Sequence, residues 1–249
     1  MTREMPPERS DVPSSLRFEE MLGNKTLDRS LSKRERTRYL FMAIAARCIQ
    51  QSPAQNPTVE FVLAQSGLAR STFYNHFKDV DDCVFEVLSL FFEYIEGSRV
   101  SSSRDLPTYD AILEANRWYC RAYEANANLF AAIHRNADLG KIRETRNSHW
   151  AMKVVHVSGR RRGQPFTGRE RIEYGGLIRI LITMTIETLR ERFVNQDALL
   201  CEAFPTADDV AVKVSEIWYE LVKKYETPVS IAANREFMER QGSENGDVS

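Results

Sequence analysis

Residues 58–77 read TVEFVLAQSGLARSTFYNHF, and this stretch decides how the rest of the chain is read. Val59, Val62 and Leu63 set an apolar face on a short helix over 58–66, which Thr58 caps and Gly67 stops. After only Leu68 and Ala69, a second short helix is predicted over 70–77, anchored by Phe73 and Phe77, with Leu68 plugging the angle between the two. That leaves Arg70, Ser71, Thr72, Tyr74, Asn75 and His76 for the outer surface. Apolar residues behind and hydrogen-bonding residues in front is the division a helix-turn-helix needs, because the second helix must be held rigid while it offers donors to the DNA major groove.

The outward residue types suit that task. Arg70 can pair with guanine or phosphate, Asn75 can read adenine, and Thr72 can donate to phosphate or touch a thymine methyl. Tyr74 and His76 join a packing body to a polar tip that reaches a phosphate oxygen. Thr58 and Ser71 lie at helix starts, where backbone N–H groups favour phosphate. Lys33, Arg34, Arg36 and Arg38 cluster just upstream, and Arg70 and Lys78 bracket the aromatic segment. From these, Arg34, Arg36 and Lys78 complete the candidate DNA contacts. The net charge of the whole chain is −1, which counts mildly against nucleic-acid binding, but phosphate responds to a local basic face rather than a global sum.

At these residues the sequence resembles the TetR family of bacterial transcriptional regulators. The family's glycine turn corresponds to Ser66-Gly67-Leu68-Ala69, and its aromatic recognition helix to Thr72-Phe73-Tyr74-Asn75-His76-Phe77. The resemblance covers about residues 33–90. It implies that Tyr74 and His76 contact phosphates while Arg70, Ser71, Thr72 and Asn75 approach bases or backbone. Three positions depart from the family pattern. Leu63 replaces the usual alanine and spaces the helices more widely. Ser71 replaces glycine or alanine. Val80 replaces the lysine opening the next helix, so that phosphate contact is lost or passes to Lys78.

Working outward, the dominant period is helical, and the fold class expected is all-α. Residues 1–31 are polar and proline-bearing and read as a flexible arm, with one short amphipathic turn near 15–22. Ser32 followed by Glu35 is a capping box opening a helix that runs to about Gln51. Asp79 caps a helix whose apolar face is Cys83, Val84, Val87, Leu88, Phe91 and Ile95. Further helices are expected near 108–125, 126–137, 139–157, 168–195 and 208–226, with breaks at 97–107, 159–163 and 201–206. Arg160-Arg161-Arg162 reads as a solvated loop. A last helical pattern at 231–241 precedes a polar tail. These boundaries give a helix-turn-helix domain over 32–79, a helical ligand-binding and dimerisation domain over 80–226, and a C-terminal tail over 227–249.

The resemblance further implies a homodimer that pairs through the helices near 168–195 and 208–226, so that two recognition helices read a palindrome. It also implies a pocket for a small apolar or amphipathic effector among the middle helices. The candidate lining is Trp118, Tyr119, Tyr123, Phe130, His134, His149, Trp150 and Met152; plain core packing is the competing reading of each. Binding of effector to a double-stranded DNA-bound dimer would tilt the helix after the recognition helix and release a repressor from its operator.

Other classes find less support. The chain lacks a Walker loop, a G-x-S-x-G elbow, H-E-x-x-H and E-x-x-H, so no enzyme is expected. His149 and His156 share a helix face without a third ligand, and no metal or other cofactor is expected. The four cysteines are scattered and read as small hydrophobes in a reducing compartment. No apolar run spans a bilayer and no secretory signal opens the sequence, so a cytoplasmic protein with no membrane partner is expected. The alternative reading is a helical interaction protein whose helix-turn-helix is degenerate.

Overall fold

A computed structural model of the chain describes residues 16–51, 57–97 and 106–225. Its regular elements are helical throughout, so the all-α expectation holds for the described residues. In chain order they are α1 (Phe18–Leu27), α2 (Lys33–Gln51), α3 (Val59–Ser66), α4 (Arg70–Tyr74), α5 (Val80–Gly97), α6 (Thr108–Ala125), α7 (Ala127–Arg135), α8 (Ala137–Arg161), α9 (Gly168–Arg190), α10 (Ala198–Ala203) and α11 (Ala207–Val222). None of them is long and apolar enough to cross a membrane.

The chain divides into two compact units. Among the described residues, one comprises 16–51, 57–97 and 121–139, and the other 106–120 and 140–225. The boundary expected between 79 and 80 is therefore corrected: α5 and α7 belong with α2 in the first unit. The reason is the apolar face read from the sequence, since Cys83, Val87, Leu88 and Phe91 of α5 are all buried. Phe91 meets Phe130 of α7 edge-on at 4.9 Å.

The flexible arm is corrected as well. Residues 1–15 lie outside the described residues, but from Leu16 onward the chain is part of the first unit's core. Phe18 and Leu22 are fully buried, and the Phe18 ring packs on Phe91 and Tyr94 at 5.2 and 5.5 Å. A buried amide secures this entry. Asn126 Oδ1 accepts from the Phe18 N–H at 3.0 Å, while its Nδ2 donates to the carbonyls of Leu16 and Ala122 at 2.7 and 2.8 Å. With its amide satisfied on both sides, Asn126 can be buried without the cost of an orphaned polar group.

The local capping signals act as read. Ser32 and Glu35 exchange the two hydrogen bonds of a capping box at the start of α2. Asp79 accepts from the Asp82 N–H at 2.8 Å and opens α5.

In the second unit, α8 continues to Arg161, past the expected break at 159. The expected solvated loop is also corrected. Arg161 donates to the Leu106 carbonyl, and the Arg162 side chain is only 9% exposed, clamped bidentate on Glu170 and lying 3.6 Å over the Phe166 ring. Helix α9 ends in a π-turn (Glu191–Asn195), and the chain leaves through Gln196 at φ +54°. The Asp197 carboxylate caps the short α10, which the sequence reading did not anticipate. Thr206 and Asp209 form a capping box that opens α11.

Two pairs of buried polar side chains satisfy each other here. Trp218 Nε1 donates to Thr185 Oγ1 at 2.9 Å, and Asn116 Nδ2 donates to Ser215 Oγ at 3.0 Å. The helical pattern at 231–241 and the tail beyond it lie outside the described residues.

Candidate nucleic-acid interface

Residues 57–79 fold locally because short-range chemistry demands it. Thr58 Oγ1 accepts from the Phe61 N–H at 3.2 Å and starts α3. Gly67 ends it at φ +67°, a left-handed conformation that a side chain would strain, and its N–H closes on the Leu63 carbonyl at 3.0 Å. Ala69 precedes α4, which ends at Tyr74 rather than at the expected residue 77. There the His76 N–H turns back to the Phe73 carbonyl at 2.9 Å, tightening the last turn.

Behind α4 lies a small aromatic wedge. Phe41, Phe73 and Phe77 are buried, with ring centroids 5.3 Å apart for Phe41–Phe73 and 5.5 Å for Phe73–Phe77; Val62 completes the contact surface of α3. Burying side chains of this size stabilises by about 1.5–3 kcal/mol each, enough to hold a five-residue helix that would not persist alone.

Arg38 of α2, which the sequence reading left out of the site, ties this wedge together. Its Nη1 donates to the His76 carbonyl at 2.7 Å, its Nη2 bridges both carboxylate oxygens of Glu86 on α5, and its guanidinium lies 4.6 Å over the Phe77 ring. The residue was visible as part of a basic cluster, but nothing local marks it as the joint between α2, α4 and α5.

In front, Ser71, Tyr74 and Asn75 are exposed, Tyr74 to 49%. Two members of the expected outer set differ. Thr72 is half-buried, and so is His76, whose ring packs 5.9 Å from Phe41. Burial, then the nearby charges of Arg34 and Arg38, hold the His76 imidazole below its ordinary value. The shift favours the neutral imidazole, a hydrogen-bond donor rather than a cation.

Among the basic candidates, Arg34 and Lys78 are exposed, as is Thr58. Arg36 is half-buried and donates back to the Leu31 carbonyl. Arg70 is exposed but paired with Glu60 at 2.6 Å, so it must leave that carboxylate to reach a base. Asp79, Asp81 and Asp82 lie at the start of α5, beside Lys78, whose N–H donates to Asp82 Oδ2. The face is thus donor-rich but electrostatically mixed.

No family of known proteins, no curated protein and no solved structure matches this chain. The functional reading therefore rests on its own residues.

The eight residues expected to line an effector pocket are divided between the two units. Tyr123, Phe130 and His134 belong to the first unit, where Tyr123 and Phe130 are buried and stacked face to face at 4.3 Å. Tyr123 and Phe130 are part of the first unit's core, the competing reading of the sequence, since an aromatic at helical spacing fills space first. The remaining five belong to the second unit. Trp118, Tyr119 and Trp150 are half-buried and His149 is exposed. Burial pushes the Tyr119 phenol up to about 12 against the opposing charges of Arg146 and Arg143. Met152 lines two adjoining grooves along α8 and the start of α9.

Proposed function

We propose that this protein is a ligand-responsive, DNA-binding transcriptional regulator that acts as a homodimer on a palindromic operator, most simply as a repressor. The observation that carries the reading is the Phe41–Phe73–Phe77 wedge behind α4, with Ser71, Tyr74 and Asn75 exposed on the opposite side. A rigid backing with a hydrogen-bonding front is what insertion into a major groove requires. Tyr74 and His76 supply phosphate contacts, and Asn75, with Arg70 once released from Glu60, supplies base contacts.

One short helix gives little specificity, so the reading needs a second copy. Helix α9 supports one. Arg169, Glu173, Gly176, Ile180, Thr183 and Glu187 are all exposed and recur at alternating spacings of four and three, a heptad seam. Against an antiparallel copy, with the two-fold axis level with Ile178, the seam is self-complementary. Ile180 faces the partner's Gly176, and Arg169, now paired with Glu173, faces the partner's Glu187, now paired with Arg190. Ile180 is 66% exposed, and a Cβ added at Gly176 would meet nothing within 4 Å, so the notch is open for a knob. Ile217 and Leu221 leave a further apolar strip exposed on α11.

The second reading, a helical interaction protein that no longer binds DNA, is favoured by Asp79, Asp81 and Asp82 beside Lys78 and by the Arg70–Glu60 pair. A gel shift of the full-length protein with the DNA upstream of its own gene, against random DNA over a salt series, separates the two. The regulator binds the upstream DNA specifically, with affinity falling as salt rises. Equal binding to both DNAs at about physiological salt supports the interaction protein instead.

A further inference from the structure

Outside α4, the second unit carries a groove of about 510 Å³ on the C-terminal half of α8, closed by the turn into α9. Met152, Val155 and Phe166 give it apolar walls, Arg160 and Arg171 give it cations, and His156 adds a polar side chain; no carboxylate lines it. We propose that this groove binds an anionic amphiphile: a carboxylate on an unbranched apolar chain of medium length.

Three observations converge on that ligand. The first concerns where nearby negative charge goes. Glu170, one residue from Arg171, is held bidentate by Arg162 at 2.7 and 2.9 Å, and Arg162 itself is stacked on Phe166. Arg160 and Arg171 have no carboxylate partner among the described residues, so the cationic edge of the groove is left uncompensated.

The second is the backbone that builds the wall. Gly159 lets the turn fold back onto α8, where the Gln164 N–H reaches the Gly159 carbonyl at 3.0 Å. A Cβ at this position would meet Pro165 Cα at 3.2 Å and the Gln164 carbonyl oxygen at 3.3 Å. The close approach seats Phe166, stacked on Tyr174 at 4.3 Å, as a fixed wall.

The third is extension. A neighbouring groove of about 560 Å³ shares Met152 and Arg171 with the first and continues along Ile172 and Gly175 of α9, ending at Gly176, the notch of the proposed seam. A head group between Arg160 and Arg171 leaves an apolar chain room to run along that channel. Sites of this volume with mainly apolar walls and a few oriented polar groups are typical of small-ligand binding.

The proposal gives the effector reading a ligand class and a place, and it rests on that reading only for any consequence on DNA. Binding is therefore measured without DNA. Full-length protein is titrated calorimetrically with sodium decanoate and, separately, with 1-decanol and inorganic phosphate. Decanoate binds saturably, and decanol and phosphate each bind at least about tenfold more weakly, the scale of one charge-assisted hydrogen bond.

Arg160→Ala and Arg171→Ala each weaken decanoate by about tenfold and leave decanol unchanged. Both side chains are exposed, and unchanged melting curves of the variants confirm that the fold is kept. Equal affinity for decanol, phosphate as tight as decanoate, unaltered decanoate binding in both arginine variants, or no saturable decanoate binding would each overturn the proposal. Failure to bind operator DNA would bear on the regulator reading alone.

Discussion

Arg38→Ala is the substitution whose consequence follows most directly from the structure. The guanidinium makes a 2.7 Å hydrogen bond to the His76 carbonyl, a bidentate pair with Glu86 and a contact 4.6 Å over the Phe77 ring. A hydrogen bond from a charged donor contributes about 1.5–3 kcal/mol. The Arg38 and Glu86 side chains are about one-third exposed, so solvent screens the ion pair to roughly 1 kcal/mol or less. A cation over an aromatic face at such a site adds about 0.5–1 kcal/mol. One side chain makes all three contacts, so they do not simply add, and about 2–3 kcal/mol is the expected loss. Urea denaturation followed by circular dichroism reads it as a lower midpoint at unchanged slope. Glu86→Gln, which spares the bond to His76, should cost less than about 1 kcal/mol. A loss below about 0.5 kcal/mol for Arg38→Ala, or an equal loss for Glu86→Gln, would refute the assignment of Arg38 as the joint that fixes α4.

Two further outcomes test other parts of the molecule. Ile180→Asp removes the knob of the proposed α9 seam, which occurs twice per dimer; at about 1.5–3 kcal/mol per fully buried isoleucine, the dimer weakens by roughly a hundredfold or more. Sedimentation should show a monomer at concentrations where the parent is dimeric, and an unchanged mass would place the interface elsewhere. Asp209→Asn tests the cap of α11: the Thr206 hydroxyl and then its N–H hold the Asp209 carboxyl below the ordinary range. A depressed folded value means that the stabilisation is present above the ordinary aspartate value of about 3.9 and is lost as pH falls through the lower folded value. The parent should therefore melt about 1–4 °C above the variant at neutral pH, the two converging in acid; a gap that persists in acid contradicts the cap.

What the sequence made legible is what short-range chemistry settles. Thr58, Gly67 and the Ser32–Glu35 box each act within four residues, and each does in the structure what its residue type implies. The apolar face of α5 follows helical periodicity and is buried accordingly. What escaped depends on partners distant in sequence. Leu16 and Phe18 look like ends of a polar arm until Asn126, 108 residues beyond Phe18, closes on them. Arg70 looks free until Glu60 is placed beside it, and Arg162 looks solvated until Glu170 and Phe166 enclose it. Aromatic residues stay ambiguous between core and pocket lining, because periodicity shows that a ring is inward but not whether the space before it is full. Tyr123 and Phe130 fill each other's space.

The mixed charge around α4 bears on how the proposed regulator would achieve specificity. Asp79, Asp81 and Asp82 would oppose phosphate on the side where Lys78 would attract it, and the His76 imidazole is shifted toward its neutral form. Each phosphate neutralised by a cation contributes to a salt slope of about 0.9 per contact on duplex DNA, and this face has few such cations unencumbered. One copy of α4 therefore gains little from charge and depends on uncharged donors at Ser71, Tyr74 and Asn75, whose value falls steeply with misplacement. Two copies held at a fixed spacing compensate, because the second binds at the effective concentration set by the first. In that arrangement, control belongs to whatever sets the spacing. Gly176 lines the α8–α9 channel and is also the notch of the α9 seam. A ligand chain long enough to reach Gly176 would contact the pairing surface itself, so chain length, more than head-group charge, would decide whether a bound amphiphile changes the grip on DNA.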